Sequence, residues 1–174
     1  MNVATSAACV GSVLFTDLVG FTEFNDAAGD ARAVEVLDRQ TQLAAQAVAD
    51  QSNGRVVKEL GDGLMLWFGT ADAAVAAALQ LLESVETERQ RGTFPLAIRM
   101  GVHHGEALSR GADVVGHTIN VGARISDLAG PGELLVSDEA IGALSDAGRL
   151  HRSAVGPVRV KGVEQPIWIQ RVTG

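Results

Sequence analysis

Residues 12–22 read SVLFTDLVGFT, and residues 54–69 read GRVVKELGDGLMLWFG. The first stretch is an apolar run, Val13-Leu14-Phe15, which reads as a buried strand of roughly residues 10–17. It ends in Thr16-Asp17, and Leu18-Val19-Gly20-Phe21-Thr22 then leads toward a helix. The second stretch is two apolar segments around Gly61-Asp62-Gly63, the signature of a β-hairpin. Each unit places one carboxylate, Asp17 or Asp62, beside glycine where a strand stops.

Working outward, residues 21–51 read as helix with a break at Gly29-Asp30, Asp30 capping the second part. TADAAVAAALQLLESVETERQR reads as an amphipathic helix opened by Thr70 or Asp72. LAIRMGVHHGEAL reads as a strand in which His103-His104 falls at the end. GHTINVGARISDLAG reads as a helix stopped by Gly130-Pro131, and ELLVS as a strand. A short helix, SDEAIGALSDAG, and a final strand pair in GPVRVKGVEQPIWIQRV complete the order. With no repeat or linker, residues 1–174 read as one domain. A helical segment between the first strand and the hairpin suits an α+β, ferredoxin-like, antiparallel-rich sheet, with helices packed mostly on one face.

The 174 residues carry a formal net charge of −7, which argues against a nucleic-acid partner. The single cysteine, Cys9, allows no internal disulfide and fits a reducing, cytoplasmic setting. Cys9 reads as packing near the first strand. The first 15 residues hold no Lys or Arg, against a signal peptide, and no apolar stretch is long enough to span a bilayer.

In a ferredoxin-like sheet the first strand lies beside the hairpin, so Asp17 and Asp62 converge. Two carboxylates without a His or Cys cluster suit hard cations such as Mg²⁺ or Mn²⁺. The competing reading is ordinary turn chemistry, where Asp is common. Gly20, Phe21 and Thr22 open a helix whose free N–H groups attract phosphate oxygens. No GxxxxGK[ST] or GxSxG motif occurs. Asn120 and Arg124, four apart, share a helix face, which by itself reads as a solvated polar stripe; beside apolar Ile119, Val121 and Ile125 the helix is packed, and an Arg emerging from it could address phosphate. Lys58, amid apolar residues, needs an acceptor or water. Lys161, near a strand end, reads by itself as surface. Zinc at His103-His104 lacks further ligands at suitable spacing.

Together, FTDLVGFT, KELGDGLM, IRMGVHHGE, DVVGHTINVGARI and VKG resemble the class III nucleotidyl cyclases, the adenylate and guanylate cyclase catalytic domains. The resemblance spans nearly the whole chain and is most like a bacterial adenylate cyclase. It implies that Asp17 and Asp62 hold two divalent cations, Mg²⁺ or Mn²⁺. It implies that Lys58 and Asp113 select adenine, that Asn120 orients the ribose and Arg124 stabilises the reacting phosphate, and that Lys161 contacts the terminal phosphates. The implied reaction converts ATP to 3′,5′-cyclic AMP and pyrophosphate at composite sites of a homodimer. A guanine pocket carries an acceptor in place of Lys58. A non-catalytic nucleotide-binding module would have lost a metal aspartate or Arg124. A diguanylate cyclase would carry GGDEF where LGDGL stands.

Overall fold

The computed structural model describes residues 6–160 and 163–174. The order is β1 Ser6–Leu18, α1 Phe21–Ala28, α2 Asp30–Ala49, β2 Gly54–Leu60, β3 Gly63–Phe68 and α3 Ala71–Gln90. There follow β4 Ile98–Arg110, β5 Asp113–Val115, α4 His117–Leu128, β6 Leu134–Ser137, α5 Asp138–Gly142, β7 His151–Val158 and β8 Ile167–Thr173. The strands form one sheet in the order β2-β3-β1-β4-β6-β8-β7, with β5 pairing β4. All pairings are antiparallel except β4 with β6. The α+β, antiparallel-rich architecture expected from the sequence is therefore the one observed.

Alternation along β1 divides the core. Leu14 and Leu18 face α2 and α3, joined by Leu66, Phe68, Met100 and Val102. Val13 and Phe15 face the other way, with Met65, Trp67, Ala107 and Val114; Cys9 packs there as well. The opposite face carries α4, which also buries Val121 and Ile125 against Leu135 and Ile169. Most helices thus share one face, as expected, and among the described residues α4 alone covers the other.

Several boundaries differ from the sequence reading. β1 begins earlier, at Ser6, because it pairs with β4 along its whole length. His103 and His104 lie inside β4 rather than at its end. β7 starts at His151, not at Gly156. Thr70, not Asp72, caps α3, accepting from the Ala73 N–H at 3.2 Å. Asp72 instead accepts from the Ser145 backbone and hydroxyl. Gly29 occupies the cap position of α2 without a side-chain bond, and Asp30 stands in its first turn. There a carboxylate favours the positive end of the helix dipole.

The seat of α4 depends on small residues. A Cβ at Gly101 of β4 would lie 2.3 Å from the Ser126 backbone nitrogen. One at Gly122 of α4 would lie 2.4 Å from Val13 Cγ1. Helix and sheet therefore touch almost backbone to backbone. Gly101→Val is expected to destabilise the fold by about 1–3 kcal/mol, because a helix backbone must move to admit it. Urea denaturation measures this, and an unchanged midpoint would disprove the close seating.

Candidate active site

Asp17 projects from β1 beside its register partner Arg99 of β4. Arg99 Nε donates to Asp17 Oδ2 at 2.7 Å, and the second arm of the guanidinium reaches the same oxygen. Arg99 Nη1 also donates to the Asp127 carbonyl near the end of α4, at 3.2 Å. Sheet and helix thus meet at this cation.

Asp62 sits in the tight turn between β2 and β3. The turn folds onto β1: a Cβ at Gly63 would stand 2.5 Å from the Thr16 carbonyl oxygen and 3.6 Å from Asp17 Oδ1. Only glycine permits this approach. Burial holds the Asp62 carboxyl above the usual carboxylate range, and the neighbouring Asp17 charge raises it further. The two carboxylates therefore converge, as the sequence suggested.

The donor set fits a hard cation. Two carboxylates lie together, one with raised proton affinity, and of the two the nearby Arg99 hydrogen-bonds Asp17 among the described residues. Among the described residues no group of three or more His, Cys, Asp or Glu side chains gathers for a metal. Oxygen donors this few suit an ion whose shell is completed by phosphate and water, the habit of Mg²⁺.

Gly20 adopts a left-handed conformation, φ 76°, and opens α1 with no side-chain cap. The first N–H groups of α1, at Phe21 and Thr22, thus begin three residues after the end of β1 at Leu18, where an anion is favoured.

Lys58 meets Asp113, its Nζ 2.9 Å from both carboxylate oxygens. A bulge makes this possible. Register shifts between Val56 and Lys58, so Lys58 pairs with Met65, on the face that carries α4. Simple alternation from Val56, which packs toward α2 and α3, would turn Lys58 to the wrong face. Arg55 Nη2 donates to the Ala112 carbonyl at 3.4 Å and ties β2 to the same turn. The Lys58 ammonium holds the Asp113 carboxyl below its ordinary range.

Asn120 and Arg124 are both exposed on α4, away from the flush Gly122 side. Arg124 Nη1 lies 3.3 Å from Asp127 Oδ2. Among the described residues, no hydrogen bond links Asn120 or Arg124 to Asp17 or Asp62 within the chain. Lys161 lies outside the described residues. His103 is buried and shares a hydrogen bond of 2.8 Å with Ser137, and His104 one of 2.9 Å with Ser12. Burial lowers the His103 pKa to about 4, so its ring is neutral near pH 7.

The sequence reading missed Arg99. Its only signal is its register opposite Asp17, across 82 residues of chain.

Known proteins resemble this chain in sequence and in fold. Residues 3–170 match the family model described as the adenylate and guanylate cyclase catalytic domain. A pH-sensitive adenylate cyclase of Mycobacterium tuberculosis is 32% identical over 92% of this chain and 40% of its own length. An adenylate cyclase of Streptomyces coelicolor is 34% identical over 72% of this chain and 32% of its own. The chain thus spans well under half the length of these relatives. Among solved structures, an adenylyl cyclase from P. aeruginosa superposes with a TM-score of 0.87 at 23% identity, covering 98% of this chain and 96% of that one. Among the described residues no helix is long and apolar enough to cross a membrane. The chain belongs to the adenylate and guanylate cyclase catalytic domain family.

Proposed function

We propose that this chain is an adenylate cyclase domain, forming 3′,5′-cyclic AMP and pyrophosphate from ATP at composite sites of a cytoplasmic homodimer. The observation that carries the reading is the Lys58–Asp113 pair, both oxygens 2.9 Å from the ammonium. Adenine offers an amine donor and the N1 acceptor. Asp113 accepts from the amine and Lys58 donates to N1. Guanine presents O6 and N1–H, the reverse polarity, and leaves both groups mispaired.

Asp17 and Asp62 would hold two divalent cations, Mg²⁺ or Mn²⁺, which when bound would supply positive charge for loss of the 3′-hydroxyl proton and for the leaving pyrophosphate. The N–H groups at Gly20, Phe21 and Thr22 receive phosphate oxygens of the same nucleotide. Lys58, Asp113, Asn120, Arg124 and Lys161 come from the second subunit. Asn120 orients the ribose, so that its 3′-oxygen attacks the α-phosphorus in line as the bond to the β-phosphate oxygen breaks. Arg124 stabilises charge developing on the α-phosphate, and Lys161 the terminal phosphates. The exposed, outward position of Asn120 and Arg124 supports their service to another chain.

The direct test incubates purified protein with Mn²⁺ or Mg²⁺ and either ATP or GTP. Cyclic AMP is the expected main product. Preferential cyclic GMP would overturn the base assignment, and no cyclic nucleotide from a proven dimer would overturn the enzyme. Lys58→Glu combined with Asp113→Gly is expected to lower the ATP-to-GTP ratio of kcat/KM by at least about 10²-fold. A constant ratio would remove these residues from base reading.

A further inference from the structure

Thr16 links the two carboxylate-bearing elements. It precedes Asp17 in β1 and pairs with Leu64, two residues beyond Asp62, at the end of the β1–β3 ladder. Its Oγ1 accepts from the Leu64 N–H at 3.2 Å and from Gln40 Nε2 at 3.2 Å. A side-chain hydroxyl thus fastens the hairpin to β1 at the position nearest the turn.

Gln40 is costly where it stands. It is 1% exposed on the inner face of α2, in the company of Ala33, Val36, Leu43, Ala44 and Ala47. Thr16 is 2% exposed. An amide buried among apolar neighbours is unfavourable unless hydrogen-bonded, and an apolar residue here would pack without that cost. Beneath the turn lies a small cavity of about 30 Å³, lined by Gln40, Thr41, Glu59, Gly61 and Leu64 among others. It has room for a water. Close-packed side chains therefore do not fill the space under the Asp62 turn, and the Thr16 hydroxyl supplies a defined anchor there.

We propose that Thr16 and Gln40 are positioning residues that set the separation of the Asp17 and Asp62 carboxylates, and so the protein's affinity for divalent cations. Gln40 holds the Thr16 hydroxyl against the Leu64 N–H. That bond fixes the start of β3, and with it the Asp62 turn, against the tip of β1. This inference rests on the reading of Asp17 and Asp62 as metal ligands.

The experiment titrates Mn²⁺ into the protein with 3′-deoxy-ATP, which cannot cyclise, and reads bound Mn²⁺ by water-proton relaxation. Removing groups that orient metal ligands typically costs about 10- to 100-fold in metal affinity. Thr16→Val, which keeps shape but loses the acceptor, is expected to raise the half-saturating Mn²⁺ concentration by about that factor. Gln40→Met is expected to do the same, while Thr16→Ser, which retains the oxygen, stays near wild type. In the cyclase assay the KM for ATP at saturating Mn²⁺ should move little. Asp17→Ala is the control. If it loses Mn²⁺ binding while folded Thr16→Val and Gln40→Met titrate as wild type, the pair is merely structural and the proposal fails. If Asp17→Ala itself titrates as wild type, the metal reading fails and takes the proposal with it. Should Thr16→Val not fold, Gln40→Met decides the question by the same criteria.

Discussion

Asp17→Ala is expected to remove cyclase activity by about 10³-fold or more while leaving the chain folded. Charge stabilisation by a bound cation is worth several kcal/mol in such reactions, and about 1.4 kcal/mol is tenfold in rate. The fold should survive for a separate reason. The Arg99–Asp17 pair is about a third solvent-exposed, with side chains 30% and 27% accessible, and pairs this exposed contribute about 0–1 kcal/mol. Asp17→Asn keeps the shape and should be as inactive. Asp62→Ala should match both, because the proposed metal pair draws on both carboxylates. Cyclic AMP formation is measured against added Mn²⁺, with circular dichroism to verify folding. Near-normal turnover with unchanged metal dependence in any of the three would sink the two-metal assignment.

The second large effect is a recovery. Asp17→Ala and Arg124→Ala should each be inactive alone, since each would spoil both sites of the proposed symmetric dimer. Mixed, random pairing gives about half of the dimers one copy of each chain. In such a dimer one site collects both defects and the other collects none. About a quarter of wild-type activity should therefore return if the sites act independently. The geometry motivates the test, because Arg124 projects outward from α4 while Asp17 and Asp62 meet at the sheet end. Silence in the mixture, after subunit exchange is demonstrated, would refute the shared site. Specific activity should also rise with protein concentration.

Much of this was legible in the sequence because the decisive signals are local. Hydrophobic runs ending in Asp17 and around Asp62 mark β1 and the β2–β3 hairpin directly, and their adjacency in the sheet follows from helix and strand order. Asn120 and Arg124 share a face by helical period alone. What escaped depends on contacts distant along the chain. Arg99 owes its place to cross-strand register with Asp17, and Gln40 to the packing of α2 over Thr16. β5 escaped because three residues after a turn at Gly111 carry no periodicity. The start of β7 escaped because His151–Val155 is exposed throughout and offers no alternation to read. The bulge that turns Lys58 toward Asp113 is likewise invisible in VVKEL, where simple alternation suggests the other face.

The mutual grip of Lys58 and Asp113 has a consequence for selectivity under the proposed reading. With no base present, each group already holds the other, and both side chains stay 39% exposed. The ammonium keeps a third N–H and the carboxylate keeps further lone pairs, so adenine would join the pair without parting it. Guanine would set its N1–H against the ammonium and its O6 against the carboxylate. The edge that meets the base is thus aligned in advance by its own members, and a lysine or aspartate variant would loosen the residue left behind as well as remove a reader.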